Sequence, residues 1–154
     1  MKEQELLKEI HNLEDSVYPN ELVCRNLRES DWDTLCEWWS TWPEWNAPGK
    51  DFLPKNGTGG LMIRKNGIPI IAGFIYETNS ASILLEWIIS NPDYRDEDRQ
   101  QAVEMLIIEA ERKTKELGYN YMFTIGRNKN LIETHRKLGW HVDDKPSHEI
   151  IKKL

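Results

Sequence analysis

The stretch SILLEWIISNPDYRDEDRQQAVEML, residues 82–106, decides the fold because it joins a strand-like run to a long amphipathic helix. Residues 82–90 are apolar on both faces of a strand except at Glu86, which predicts a central strand that is covered on both sides. Apolar residues then recur at helical spacing from Val103 to Leu117. A second strand-like run, YNYMFTI at 119–125, follows the helix. Together these elements predict a β-α-β crossover between parallel strands.

The segments before this crossover predict antiparallel strands. GLMIRK at 60–65 and IPIIAGFIYE at 68–77 flank Asn66-Gly67, which is the strongest short signal for a hairpin. ELVCRNLR at 21–28 is typical of a strand, and SDWDTLCEWWSTW at 30–42 has the spacing of a helix.

The remaining elements lie at the two ends of the chain. The patterns predict helices at 2–13 and 129–139 and final strands at 140–142 and 148–154. We therefore expect an α/β (α+β) fold, with a mixed, mostly antiparallel sheet of six to seven strands and helices on both faces. An extra N-terminal helix within 1–20 would precede one domain over 21–154.

Composition restricts the function. The 154 residues suit one domain, and a net charge of −6 argues against a protein that binds nucleic acid by bulk charge. Cys24 and Cys36 form no CxxC pair, so no metal site is predicted. No apolar run reaches the roughly 18 residues that span a membrane, and the charged N-terminus is unlike a signal peptide. A cytoplasmic protein is expected.

The junction after the central strand is a natural place to bind phosphate, because the free N–H groups of a helix start point outward. It contains Pro92 and Arg95 and then an acidic run at 96–98, where such junctions usually carry glycines. Three acidic residues stabilise a helix start by about 0.3–1 kcal/mol each, which requires no ligand. The same charges would repel a pyrophosphate unless Arg95 and Arg99 both turn inward to offset them.

This junction resembles the first of two motifs of the GNAT superfamily of acyl-CoA-dependent N-acyltransferases. In that motif a proline after the fourth strand precedes Arg/Gln-x-x-Gly-x-Gly/Ala and a helix. Pro92 and Arg95 are in register with it, whereas Asp98 and Gln100 occupy the two glycine positions. By this resemblance the chain has a degenerate pyrophosphate loop.

The second motif is the segment NKNLIETHRKLGW at 128–140. The family pattern is Asn-x-x-Ala, a Tyr four residues on, and then Lys-x-Gly-Phe. Leu131 replaces the Ala, and His135 stands where the Tyr would be. The positions that match in type, or nearly so, are Asn128, Lys137, Gly139 and Trp140. The resemblance covers 21–154, and the chain looks similar to small GNAT-like proteins encoded by bacteriophages, which would place it in the host cytoplasm.

The resemblance implies a cofactor, acetyl-CoA or another acyl-CoA, and transfer of its acyl group to an amine. Backbone N–H groups of Ile88, Ile89 and Ser90 would hold the pantetheine arm and the thioester carbonyl. The pyrophosphate would lie on the helix start, at Arg95, Asp98, Arg99 and Gln100. Asn128 would either touch the cofactor or only cap its helix.

Three side chains are candidates for the proton transfers. Glu86 is the best candidate for the base, because its apolar neighbours desolvate it and raise its pKa. The alternative is a buried Glu that is paired with an Arg or a backbone donor. Glu77 is a second candidate on the acceptor side. His135 would be the acid, or else an ordinary, partly buried helix residue.

The tryptophans of 30–45 have two interpretations. Trp38, Trp42 and Trp45 share a helical face with Leu35, which is typical of a core stripe. In the family this region overhangs the acceptor, so Trp42 and Trp45 are also candidates for the acceptor pocket. The irregular stretch at 43–60 is long for a passive loop, which favours a functional one.

The partner is expected to be a small-molecule or protein amine, and a homodimer is possible. An alternative function is a GNAT-fold protein that has lost acyl-CoA and acts as a binding module, for instance against a host factor. A nucleic-acid base modifier is a third, minor interpretation, which the acidic charge disfavours.

Overall fold

The structure is a computed structural model that describes residues 2, 21–42 and 46–154. The predicted N-terminal helix, apart from residue 2, and Trp45 lie outside these residues. Within the described ranges, no helix is both long and apolar enough to cross a membrane.

One sheet organises the described chain. Its five strands follow one another in space as in sequence: β1 Val23–Asn26, β2 Gly60–Lys65, β3 Ile68–Glu77, β4 Ser82–Ser90 and β5 Tyr121–Phe123. Strands β1 to β4 pair antiparallel, and β5 runs parallel to β4, so the predicted mixed sheet is confirmed. The helices are α1 Trp32–Thr41, α2 Arg99–Glu116 and α3 Lys129–Lys137, and short 3-10 turns occupy Glu29–Asp31, Lys50–Phe52 and Pro54–Gly57.

The predicted hairpin joins β2 to β3. Asn66 and Gly67 have φ angles of 51° and 76°, as a two-residue turn between right-twisted strands requires. Lys65 pairs with Ile68 across it. The turn brings the Lys65 side chain to the level of the α2 start.

Helices cover both faces of the sheet, as predicted. Against α2, Ile83 and Leu85 of β4 are fully buried together with Leu106 and Ile107. The opposite face packs on α1, with a core that includes Leu35, Trp38, Trp39, Met62 and Phe74. The core-stripe interpretation is therefore confirmed for Trp38, whereas Trp42 lies beyond the end of α1 and is half-buried.

The prediction of six to seven strands is wrong for the described residues. The segments 140–142 and 148–154 form no ladder, and β5 has three residues rather than the seven of YNYMFTI. A β-strand forms only where a neighbouring strand pairs with it, and an alternating sequence pattern does not specify that neighbour. Trp140 instead packs back on the α2 core and donates its indole N–H to Glu111 Oε1 at 2.7 Å.

Candidate functional site

Strands β4 and β5 share only a short ladder, and we call the open edge of β4 beyond that ladder the cleft. The two strands pair only where Ser82, Ile83 and Leu84 meet Tyr121, Met122 and Phe123. Strand β4 has nine residues, so among the residues that the structure describes most of its length has no strand on the β5 side. Ligands in open α/β sheets bind beyond the carboxyl ends of parallel strands. The cleft is therefore the first place to look for a site.

A bulge interrupts β4 beside this cleft. Ala72 pairs with Ile89 and Phe74 with Glu86, so two residues of β4 oppose the single residue Gly73. Trp87 in the bulge has a φ of 55°, which is an outlier for a bulky residue. Bulges turn side chains to new directions and are frequent beside active sites.

The bulge shifts the alternation of side chains. Leu85 and Ile88 both pack on the α2 core, and Trp87 and Ile89 both pack on the α1 core. In a regular strand Leu85, Trp87 and Ile89 would share one face. The bulge therefore places the Trp87 ring on the α1 face of the sheet.

The Glu86 carboxylate lies in the cleft, where Oε1 accepts a hydrogen bond from the backbone N–H of Ile125 at 2.7 Å. Burial raises the pKa of Glu86, as predicted from its apolar neighbours. The Ile125 N–H, the charge of Arg127 and the Thr124 side chain oppose that rise in pKa. Glu86 is half-buried and has the predicted backbone donor, and a role as base stays a proposal.

The Asp98 side chain does not cap α2. Its carboxylate accepts from Lys65 Nζ at 2.7 Å and from the Tyr94 hydroxyl at 2.6 Å. The hydrogen bond from Lys65, followed by that from Tyr94, lowers the pKa of Asp98. The negative charge at this glycine position is therefore held and offset by the hairpin lysine.

Two arginines lie close together near the helix start. Arg99 donates from Nη2 to Ser90 Oγ at 3.1 Å, and Arg95 donates from Nε to the Pro92 carbonyl at 2.9 Å. Burial, followed by the positive charge of Arg95, lowers the pKa of Arg99. Among the described residues no carboxylate forms an ion pair with either guanidinium.

The first turn of α2 leaves donors open. Ala102 donates its backbone N–H to the Asp98 carbonyl, as a helix requires, whereas no acceptor within the described residues takes the backbone N–H of Gln100 or Gln101. The Gln100 side chain is directed to α3, where Nε2 donates to Thr134 Oγ1 at 3.0 Å. Two amides and two guanidinium groups thus lie at one end of the cleft.

The two candidates of the second motif belong to α3. Asn128 caps the helix, since its side chain accepts from the backbone N–H groups of Asn130 and Leu131. His135 is 3% exposed, and its Nδ1 lies 2.9 Å from the Leu131 carbonyl, which can only accept. Its ring contacts Trp140 edge-on, and burial lowers its pKa. No described contact joins His135 to Glu86.

The predicted acceptor residues lie apart. Glu77 ends β3, pairs with Ile83 at the opposite end of β4 from the bulge, and accepts from the Tyr119 hydroxyl at 3.1 Å. Trp42 packs against the α1 core, and its buried indole N–H has no acceptor within the described residues. Trp45 lies outside those residues.

Three aromatic residues near Glu86 escaped prediction: Phe52, Tyr76 and Trp87. The rings of Phe52 and Trp87 meet edge-on with centroids 5.9 Å apart. The Tyr76 hydroxyl donates to the Phe52 carbonyl at 3.1 Å, and burial together with the Glu86 charge raises the pKa of Tyr76 to about 12. Phe52 lies in the irregular stretch that was expected to be functional. A run that is apolar on both faces carries no signal for a bulge.

No family model and no curated protein matches the sequence. Solved structures do resemble the fold. A GCN5-related N-acetyltransferase from Ralstonia eutropha is 17% identical with a TM-score of 0.58, over 84% of this chain and 99% of that one. The ribosomal-protein-S18-alanine N-acetyltransferase from Escherichia coli is 14% identical with a TM-score of 0.62, over 77% of each chain.

A putative acetyltransferase from Salmonella typhimurium, solved with its cofactor acetyl-CoA, is 14% identical with a TM-score of 0.60, over 80% of this chain and 82% of that one. At identities this low, the structural similarity establishes the fold and does not establish the activity. The chain therefore has the fold of the GNAT acetyltransferases.

Proposed function

We propose that this protein is an N-acyltransferase that moves an acetyl or other acyl group from CoA to an amine. The observation that supports this most strongly is the bulge at Trp87 on the open edge of β4. It lies between a half-buried carboxylate, Glu86, and a helix start with open donors. These are the parts that a thioester, its acceptor amine and a pyrophosphate require.

The open edge of β4 would hold the pantetheine arm. Within the described residues no strand covers β4 on the β5 side beyond Leu84. Those backbone groups of Ile88, Ile89 and Ser90 that point away from β3 can therefore pair with an extended, amide-containing chain. Backbone N–H groups that are fixed before the substrate arrives also stabilise the oxyanion of a tetrahedral intermediate.

The start of α2 would hold the pyrophosphate in spite of its acidic residues. The Asp98 carboxylate is bound to Lys65 and Tyr94, which leaves the backbone N–H groups of Gln100 and Gln101 for the phosphate oxygens. Arg99 and Arg95 add positive charge and pair with no carboxylate of the described ranges, and guanidinium groups suit phosphate recognition. They would add an attraction for the phosphates at a loop where side chains replace the glycines that would leave the backbone open.

Glu86 would be the base, directly or through a water. The acceptor enters as an ammonium ion and must lose a proton before its nitrogen attacks the thioester carbon. A tetrahedral intermediate forms, its nitrogen loses a second proton to solvent, its C–S bond breaks, and an amide and a CoA thiolate are released. A thiol pKa of about 8.5 makes the thiolate a good leaving group. We therefore assign no acid role to the buried His135.

The direct test is release of free CoA thiol from acetyl-CoA in the presence of a panel of amines. Transfer that depends on the amine and is lost in Glu86→Gln would support the proposal.

The remaining charges at Asp96 and Glu97 favour the alternative, a binding module that does not use acyl-CoA. No thiol release with any amine, together with no acetyl-CoA binding, would favour that alternative.

A further inference from the structure

We infer that the acceptor is a monoamine with a flat aromatic body, such as an arylalkylamine, and that it binds the rings of Phe52, Tyr76 and Trp87 beside Glu86. We call these three rings the aromatic patch. The inference rests on the proposed function, because it names the acceptor of that reaction.

The bulge creates the aromatic patch. By reversing the alternation of β4 it places Trp87 on the α1 face, immediately after Glu86 in sequence. Phe52, on the 3-10 turn Lys50–Phe52, reaches the Trp87 ring edge-on at 5.9 Å. Phe52 is 45% exposed, so part of the patch is open to a ligand. A bulky residue held at positive φ is strained, and such strain is concentrated at functional sites.

The Tyr76 hydroxyl of the patch is already engaged within it. It donates to the Phe52 carbonyl at 3.1 Å, and the nearby Trp87 side chain opposes the rise in the pKa of Tyr76. What these residues offer to a ligand is therefore the apolar faces and edges of their rings. Such surfaces bind flat apolar groups and, through the ring quadrupole, cations.

The Glu86 carboxylate next to the patch favours a cationic ligand. Glu86 is a carboxylate close enough to Tyr76 to raise its pKa. The nearby Arg127 forms an ion pair with Glu149 and also acts on Glu86. One carboxylate suits one ammonium group. Polyamines and aminoglycosides carry several cations, and an amino acid would bring its own carboxylate against Glu86.

The experiment compares amines by calorimetry on the protein saturated with CoA. We expect 2-phenylethylamine to bind about tenfold or more tightly than butylamine, spermidine or phenylalanine. Phe52→Leu should weaken that binding about tenfold and leave butylamine unchanged. A folded Trp87→Leu variant should also bind 2-phenylethylamine about tenfold more weakly and butylamine unchanged. Tyr121→Leu is the matched control, because Tyr121 is 67% exposed on β5, away from the patch.

A separate titration with acetyl-CoA distinguishes failure of this inference from failure of the proposed function. If acetyl-CoA binds but phenylethylamine binds no better than butylamine, or Phe52→Leu has no effect, this inference is overturned and the proposed transferase stands. If phenylethylamine binds in a Phe52-dependent manner while acetyl-CoA does not bind, the proposed function is overturned and the patch stands as an amine-binding site. Binding of both supports both.

Discussion

The Glu86 carboxylate accepts a hydrogen bond from the backbone N–H of Ile125 at 2.7 Å. Leu84 pairs with Phe123, so two residues further along each strand Glu86 and Ile125 are the pair that an uninterrupted ladder would bring together. A side chain therefore takes the place of a strand-to-strand hydrogen bond at the point where the cleft opens. The proposed base is thus held at the site by a hydrogen bond from the segment that follows β5.

Glu86→Gln should separate the two roles of this side chain. The Gln amide oxygen can still accept from Ile125, but the side chain can no longer take a proton. We expect acyl transfer to fall by about 10²–10⁴-fold, while acetyl-CoA affinity stays within about twofold. Steady-state kinetics and calorimetry measure both, and Glu77→Gln is the control. A Glu86→Gln enzyme with wild-type turnover would exclude Glu86 as the base.

The raised pKa of Glu86 gives stability a pH dependence of known sign. A carboxyl group whose pKa rises on folding holds its proton more tightly in the native state. Its contribution to stability is therefore full below the usual pKa of 4.5 and is lost as the pH rises through the folded value. Urea unfolding of wild type and Glu86→Gln at several pH values should show that the wild type loses stability relative to the variant as the pH rises. A difference that does not change with pH would contradict this.

Asp98→Ala should destabilise the fold without weakening cofactor binding. The substitution removes the carboxylate that accepts hydrogen bonds from Lys65 Nζ and from the Tyr94 hydroxyl. We expect a loss of about 1–3 kcal/mol in the free energy of unfolding at neutral pH. Because the pKa of Asp98 is lowered, the loss should shrink as the pH falls below its usual 3.8.

The control for Asp98→Ala is Glu97→Ala, an exposed residue in the same turn, with an expected change within about 0.5 kcal/mol. Acetyl-CoA affinity should be unchanged or higher in Asp98→Ala, because a negative charge is removed from the helix start. A large loss of affinity in this variant would mean that the aspartate itself contributes to the cofactor site.

Gly60→Ala tests the close approach of β2 and β3. A Cβ at Gly60 would lie 2.1 Å from the Gly73 carbonyl oxygen, which is backbone that cannot turn away. Gly118→Ala adds only backbone strain, since φ is +89° and nothing lies within 4 Å. Measured by chemical denaturation, Gly118→Ala should lower the free energy of unfolding by about 1–2 kcal/mol. Gly60→Ala should lower it by clearly more. Equal costs would contradict the predicted clash.

Local patterns predicted much of this fold. The Asn66-Gly67 hairpin, the strand β4 and the crossover through α2 follow from short-range signals. The final strands did not form because pairing depends on a neighbour. The bulge at Trp87 had no signal, since SILLEWIIS is apolar on both faces. The orientation of Asp98 depends on Lys65, which is distant in sequence, so the acidic loop gave no indication that its charge was already paired.

Calorimetric titration with acetyl-CoA of wild type, Arg99→Glu and Lys115→Glu tests the proposed function most directly. We expect one saturable site, weakened about tenfold or more by Arg99→Glu because a phosphate contact becomes a repulsion. Lys115→Glu, with the same charge change at the exposed far end of α2, should leave the affinity unchanged. No heat and no thermal shift with millimolar acetyl-CoA, or equal losses in both variants, would contradict a pyrophosphate site at the start of α2.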